Sequence, residues 1–180
     1  MKEIENLIKR YENNIKFYAG YPHNLDFDYK ELFAALAYPI NNYGDPFLLQ
    51  NPVSSHEYEI EVIKWFLKLY GIDETCGWGY VTTGGTEGIL FGIWRAKEFL
   101  NKPILYFSDY AHYSVMKSAR ITSIEYRIIK SSAKGEIDYD DFNKQLVLNR
   151  DAIILATLGN TITSAIDDIN IIRSICDEKK

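Results

Sequence analysis

Cysteine is scarce in this chain: Cys76 and Cys176 are the 2 in 180 residues. Two such distant thiols build no disulfide framework and suit a reducing compartment. No run of Lys or Arg stands out and the net charge is −5, which argues against nucleic acid or an anionic membrane as partner. No apolar stretch approaches the roughly 20 residues of a membrane-spanning helix. The opening "MKEIENLIKRYENN" is amphipathic and carries both signs of charge, so it reads as neither a signal nor a transit peptide. These absences lead to the expectation of a soluble cytoplasmic protein. Internal repeats and low-complexity tracts are missing too. So are the G-x-x-x-x-G-K-[ST] and G-x-G-x-x-G signatures of nucleotide sites. His23, His56, Glu57 and Glu59 fall in no zinc or iron pattern, so no metal is expected.

What is present is length enough for a core and an apolar content of 47%, ordinary for a globular chain. Aromatics are plentiful, with 14 Tyr, 9 Phe and 3 Trp, which suggests wide packing surfaces and a subunit interface. Ile4, Leu7, Ile8, Tyr11, Ile15 and Tyr18 follow the three-four spacing of one helix face, with Gly20 as a stop. "YPINNYGDPFLLQNP" reads as part of an ordered loop around a short helix near residues 29–36, and a loop of that length is usually functional or interfacial. Ser54 with Glu57 has capping-box spacing and opens a helix through Tyr70, stopped by Gly71. Four apolar runs follow, "YVTT", "PILYF", "IEYRIIK" and "DAIILATL". Helical patterns lie between them at 86–100, 112–121 and 139–148, and another starts near Asp167. Strand alternating with helix predicts an α/β fold, a mostly parallel sheet covered by helices.

In such a sheet ligands gather where strands end and helices begin. Gly84, Gly85 and Thr86 sit at such a turn. Glycine lets an anion approach the backbone, the helix start offers unpaired N–H groups, and Thr86, with Thr83, adds hydroxyls. The pattern alone is equally well explained as a tight turn. "FSDYAHYSVMKSARI" ends one strand and opens the next helix, with Asp109 or Ser108 as a cap. His112 at that helix start can stack on a flat ligand or donate to a carboxylate; a histidine satisfied by local polar groups is the alternative. Lys117 falls mid-helix and reads as solvated surface. In "ATLGNTITSAIDDI" a Gly/Asn/Thr turn holds Thr161, and Asp167 or Asp168 precedes a helix, where capping alone explains an aspartate.

Seven stretches, "GYPHNLDFDY", "NNYGDPF", "HEYEIEVIKWFLKLYGI", "WGYVTTGGTEG", "YFSDYAHYSVMKSARI", "GEIDYDDF" and "TLGNTITSAIDDI", run in order over nearly all of residues 20–175. Together they resemble the pyridoxal-phosphate-dependent group II amino-acid decarboxylases, above all their bacterial histidine decarboxylases. The resemblance implies a fold-type-I large domain, with residues 1–55 as a helical and loop segment making dimer and active-site contacts. Residues 56–180 would form the N-terminal part of the cofactor-binding domain. It implies pyridoxal 5'-phosphate as cofactor, an amino-acid substrate, and a dimer or higher homo-oligomer with active sites at the interface. Gly85 and Thr86 would bind the cofactor phosphate. His112 would stack on the pyridine ring near the substrate, as the catalytic and substrate-binding residue, with Thr161 behind it and Asp167 in the site wall. Asn160 replaces the first threonine of the family's G-T-T turn, and Ile89 stands where asparagine is frequent.

The family's chemistry also needs a Schiff-base lysine and an acid at the ring nitrogen. Its "H-x-D-A-A" and "H-K" motifs do not occur in this sequence. The expectation is therefore an N-terminal portion of such an enzyme, lacking the Schiff-base lysine and inactive alone, with L-histidine as the substrate of the whole. A non-catalytic subunit that pairs with a full-length homologue is the alternative, and an aminotransferase of the same fold is a weaker one.

Overall fold

The computed structural model describes residues 2–19, 28–48 and 51–179; the expected stop at Gly20 and His23 lie outside them. The chain divides into two compact units, Met1–Tyr80 and Val81–Lys180.

The first unit is helical. Helix α1 spans Lys2–Asn14 and runs into a 3-10 turn at Ile15–Phe17. Its apolar face has the expected spacing, yet none of its residues is buried. The short helix expected near residues 29–36 is a 3-10 helix at Lys30–Ala37. Helix α2 spans His56–Leu69 and buries His56, Ile63 and Leu67. Its stop is a Schellman motif: Gly71 N–H reaches Lys68 O and Ile72 N–H reaches Leu67 O, with Gly71 at φ +68°, a conformation glycine adopts without strain. The expected capping box at its start does not form. The cap residue is Ser55, with no side-chain capping bond. Ser54 spends its hydroxyl on Asn51 O at 2.7 Å, and Asn42 clasps Ser55 through both its backbone N–H and its hydroxyl.

The second unit alternates helix and strand: α3 (Gly85–Phe99), β1 (Ile104–Ser108), α4 (Tyr113–Ile121), β2 (Glu125–Ile129), α5 (Tyr139–Gln145), β3 (Ala152–Leu155) and α6 (Ile169–Glu178). The sheet order is β2-β1-β3, and both pairings are parallel, Tyr106 standing opposite Arg127 and Ile154. Every residue of β1 is buried, as a central parallel strand with helices on both faces requires. Successive side chains alternate faces. Ile104 and Tyr106 pack with Ile129, Ile137, Phe142 and Ile172. Leu105 and Phe107 pack with Ile93, Val115, Ala119 and Ile124. Each fully buried side chain of this size contributes roughly 1.5–3 kcal/mol. Tyr106 meets Phe142 edge-on with centroids 5.8 Å apart, and its hydroxyl accepts the Val147 N–H, so the one polar atom it buries is satisfied.

Three of the four apolar runs become strands. "YVTT" does not, and local bonds hold its two threonines. Thr82 Oγ1 donates to Gly84 O, and Thr83 gives both its N–H and its hydroxyl to Glu87 Oε2, each at 2.7 Å. Such side-chain competition displaces a ladder.

Candidate functional site

All strands of the sheet point the same way, so the turns after β1 and β3 emerge at one end. Helix α3 shares that end with its N-terminus. The four-residue link from Phe99 to Ile104 returns the chain along the sheet, and Ile89 and Ile93 both pack on the Leu105–Phe107 face. Gly85, Thr86, His112 and Thr161 are thereby brought to one edge, as expected at carboxyl strand ends.

At α3, a Cβ added to Gly84 or to Gly85 would meet no atom within 4 Å, so the space beside the turn is open. The first N–H groups of a helix have no intrahelical partner. Glu87 and Gly88 direct theirs to Gly84 O, which leaves those of Gly85 and Thr86 as the helix-start N–H groups without an intrahelical acceptor. Thr86 is half-buried and Gly85 exposed. The Thr83 hydroxyl is committed to Glu87, so Thr86, not Thr83, is the hydroxyl available to an anion. An open turn, two N–H groups, one hydroxyl and the positive end of a 15-residue helix fit a phosphate ester.

His112, and not Asp109 or Ser108, caps α4: its side chain accepts the Ser114 N–H. Nδ1 lies 2.7 Å from Ser114 Oγ and 3.4 Å from Ser114 N. With Nδ1 engaged by Ser114, Nε2 is the ring nitrogen left to meet a ligand. The ring is exposed and tilts against Tyr113 with centroids 4.2 Å apart. Asp109 and Ser108 are engaged elsewhere: Ser108 accepts the Tyr110 N–H, and Asp109 accepts the Ser131 hydroxyl. An open groove of about 700 Å³ is lined by Phe107, Asp109, His112, Met116, Lys117 and Ile128 among others. Lys117 is exposed there.

Thr161 is exposed, in a turn organised by its buried neighbour Asn160. Asn160 Oδ1 accepts the N–H groups of Ile162 and Thr163, and Nδ2 donates to Gly135 O at 2.8 Å. Asp167 is buried at 6% exposure and is not the helix cap; that is Asp168, which accepts from Asn170 and Ile171. Asp167 instead takes the Ile137 N–H on Oδ1 and the Thr157 N–H on Oδ2, each at 2.7 Å. Tyr139 accepts the Asp168 N–H; burial pushes its phenol above the ordinary value, and that hydrogen bond pulls the other way. Among the described residues no group of His, Cys, Asp and Glu could hold a metal ion.

A family description, "Pyridoxal-dependent decarboxylase conserved domain", matches residues 35–180. The chain belongs to this decarboxylase family. The resemblance drawn from the seven stretches therefore holds, and pyridoxal phosphate is the family's cofactor. The chain is 40% identical to serine decarboxylase 1 of Oryza sativa subsp. japonica, over 96% of its own length and 36% of that protein's. It is 41% identical to a histidine decarboxylase of Acinetobacter baumannii, over 87% of its length and 42% of that protein's. The chain thus spans less than half the length of either relative. The L-methionine decarboxylase of Streptomyces sp. 590 superposes with a TM-score of 0.83 at 20% identity, over 97% of this chain and 46% of that one. That likeness establishes the fold-type-I architecture expected from the sequence. No helix among the described residues is long and apolar enough to cross a membrane.

Two residues escaped the sequence reading. Ser114 holds the His112 ring, and its signal was the H-x-S spacing, which puts a hydroxyl at the second position of the helix. Glu87 competes for Thr83, and its signal was the T-x-x-x-E spacing across a helix start.

Proposed function

We infer that this chain is part of a pyridoxal-phosphate-dependent decarboxylase acting on an L-amino acid, with L-histidine as substrate. The observation that carries the reading is the open α3 N-terminus, with Gly85 and Thr86 unpaired, at the same sheet edge as the exposed ring of His112. Pyridoxal phosphate, when bound, supplies an electron sink for the electrons released as carbon dioxide leaves. The chain's own residues do the holding. Gly85 and Thr86 N–H groups and the Thr86 hydroxyl receive the phosphate, and the helix dipole favours its charge. His112 offers a flat face for stacking and Nε2 to meet a ligand, while Ser114 holds the other ring nitrogen. Thr161 lies on the turn behind it. The working enzyme is a homo-oligomer of the cytoplasm, with residues 1–55 contributing to the subunit contact and residues 56–180 to the cofactor-binding domain.

The relatives named for histidine and for serine define the test. The full-length protein carrying this chain is incubated with pyridoxal phosphate and carboxyl-labelled L-histidine or L-serine. Labelled carbon dioxide released at least about tenfold faster from histidine, at equal substrate below KM, supports the reading; a tenfold preference corresponds to about 1.4 kcal/mol. Preference for serine overturns the substrate, and release from neither overturns the activity.

A further inference from the structure

The stretch "GEIDYDDF", part of the family likeness, contributes no side chain to the site described above. Its structural role is specific. Residues 130–138 form a hairpin beyond the end of β2. Asp138 N–H bonds Lys130 O, Ser132 N–H bonds Glu136 O, and Gly135 N–H bonds Ser132 O, with Ser131 and Ile137 as an antiparallel bridge. At its base, Lys130 N–H is held by Asp141 Oδ2 at 2.9 Å.

Each side of this hairpin grips a different site turn. On the Ser131 side, the Ser108 hydroxyl donates to Ser131 Oγ at 2.7 Å and the Ser131 hydroxyl donates to Asp109. That fixes the turn running from β1 to His112. On the Ile137 side, the Ile137 N–H is taken by Asp167, whose second oxygen takes the Thr157 N–H at the end of β3. At the tip, Gly135 O accepts from Asn160. Gly135 is also the point of closest approach: a Cβ there would lie 2.0 Å from Thr163 Oγ1, and its φ of +93° disfavours any other residue.

We propose that this hairpin is a strut setting His112 and Thr161 relative to each other, with Ser131 and Asp167 as positioning residues of the site. The idea rests on the reading of His112 and Thr161 as site residues. It accounts for two features of the sequence. Asp167 is buried with both oxygens on backbone N–H groups of different segments, the arrangement of a tie. Asn160, buried in its turn, supplies the amide donor that reaches Gly135.

The test uses the full chain, isotope-labelled, with no cofactor added. Asp167→Asn keeps the volume but turns one acceptor into a donor facing an N–H. It is expected to speed amide exchange about fivefold or more at whichever of Ile137 and Thr157 faces the new amide, the loss of one hydrogen bond's worth of protection, and to shift the His112 ring resonances as well. Ser131→Ala is expected to move the His112 ring and the Thr161 amide, and Ser131→Thr, which keeps the hydroxyl, to restore both. Shifts from Asp167→Asn that stop at Ile137 and Thr157, or a Thr161 amide indifferent to Ser131→Ala, overturn the strut. If a variant unfolds, the unaltered chain decides: matched slow exchange at Ile137 and Thr157 supports the shared tie, and fast exchange at either overturns it. Because no cofactor enters the readout, failure here leaves the family reading standing, and failure of phosphate binding at Thr86 leaves the strut standing.

Discussion

At the scale of single residues, the phosphate turn makes a quantitative claim. Helix-end charge effects contribute roughly 0.3–2 kcal/mol, and hydrogen bonds to a charged group roughly 1.5–3 kcal/mol each. Two or three such contacts, less the cost of immobilising a ligand, give about −4 to −6 kcal/mol, which is millimolar to high-micromolar affinity. Titrating this 180-residue chain with pyridoxal phosphate should show binding in that range, competed by inorganic phosphate. Thr86→Ala should weaken it about tenfold or more through the lost hydroxyl. No stable yellow adduct should form; one that forms and maps to a single lysine after borohydride reduction would overturn the non-covalent account. Asp141 supports a second prediction. The Lys130 N–H it accepts holds its carboxyl below the usual range, burial opposes this, and the Gln145 amide and the Lys130 and Lys144 charges assist. A depressed carboxylate contributes stability above its unfolded value of about 4, lost as pH falls through the folded one. Asp141→Asn should therefore lower stability by about 1 kcal/mol or less at pH 7, and the difference should vanish in acid. A gap that persists there would mean that the charge is not the cause. The turn at Gly85 and Thr86 and the helix start at His112 could be placed from local patterns, whereas a cofactor role for them came from the family resemblance alone. The ties of Asp167 could not be placed locally, since its partners Thr157 and Ile137 lie 10 and 30 positions away.

At the scale of elements, periodicity located the helices because a buried stripe recurs every three to four residues whatever the partner. Helix α3 begins at Gly85 and α4 at Tyr113, within a residue of the expected starts. Helix α5 ends at Gln145, three short of the pattern, where Val147 leaves the helix to give its N–H to Tyr106. The failures were at "YVTT" and at the start of α2. At "YVTT" the Glu87 side chain, four positions on, takes the Thr83 N–H and hydroxyl. At α2 the Ser54 hydroxyl goes back to Asn51 O and Asn42, 13 positions away, holds Ser55, and apolar pattern carries no record of such competition. Phe142 tests the packing of α5. It is fully buried against Tyr106, and Phe142→Ala should cost about 3–5 kcal/mol through lost contact and the cavity left behind. Denaturant melts would report this as a lower midpoint with unchanged slope. A loss under 1 kcal/mol would mean that α5 collapses onto the sheet and that Phe142 is not the anchor.

At the scale of the whole molecule, the two units differ in how much they bury. In the second, β1 and its neighbours form two cores on opposite faces of the sheet. In the first, the described helices bury little: α1 buries nothing, and Phe17, Leu36 and Trp65 are exposed at 87%, 75% and 59%. The sequence announced this surface through its aromatic content, but not where it would lie, because an amphipathic stripe looks the same facing a core or a second subunit. Contiguous exposed apolar area beyond a few hundred Å² is uncommon on monomers and promotes association, and the short strands β2 and β3 leave two sheet edges unpaired among the described residues. This chain on its own should therefore self-associate at micromolar concentration. Sedimentation velocity across a dilution series should show species larger than 20.9 kDa that dissociate on dilution. Replacing Leu32, Phe33 and Leu36 together by serine should shift the distribution toward monomer, since these side chains are already exposed and their loss takes little from a core. A single monomeric boundary in the unaltered chain, with a sharp reversible melt, would show that this apolar surface is tolerated in water and that the oligomer must be sought through other contacts.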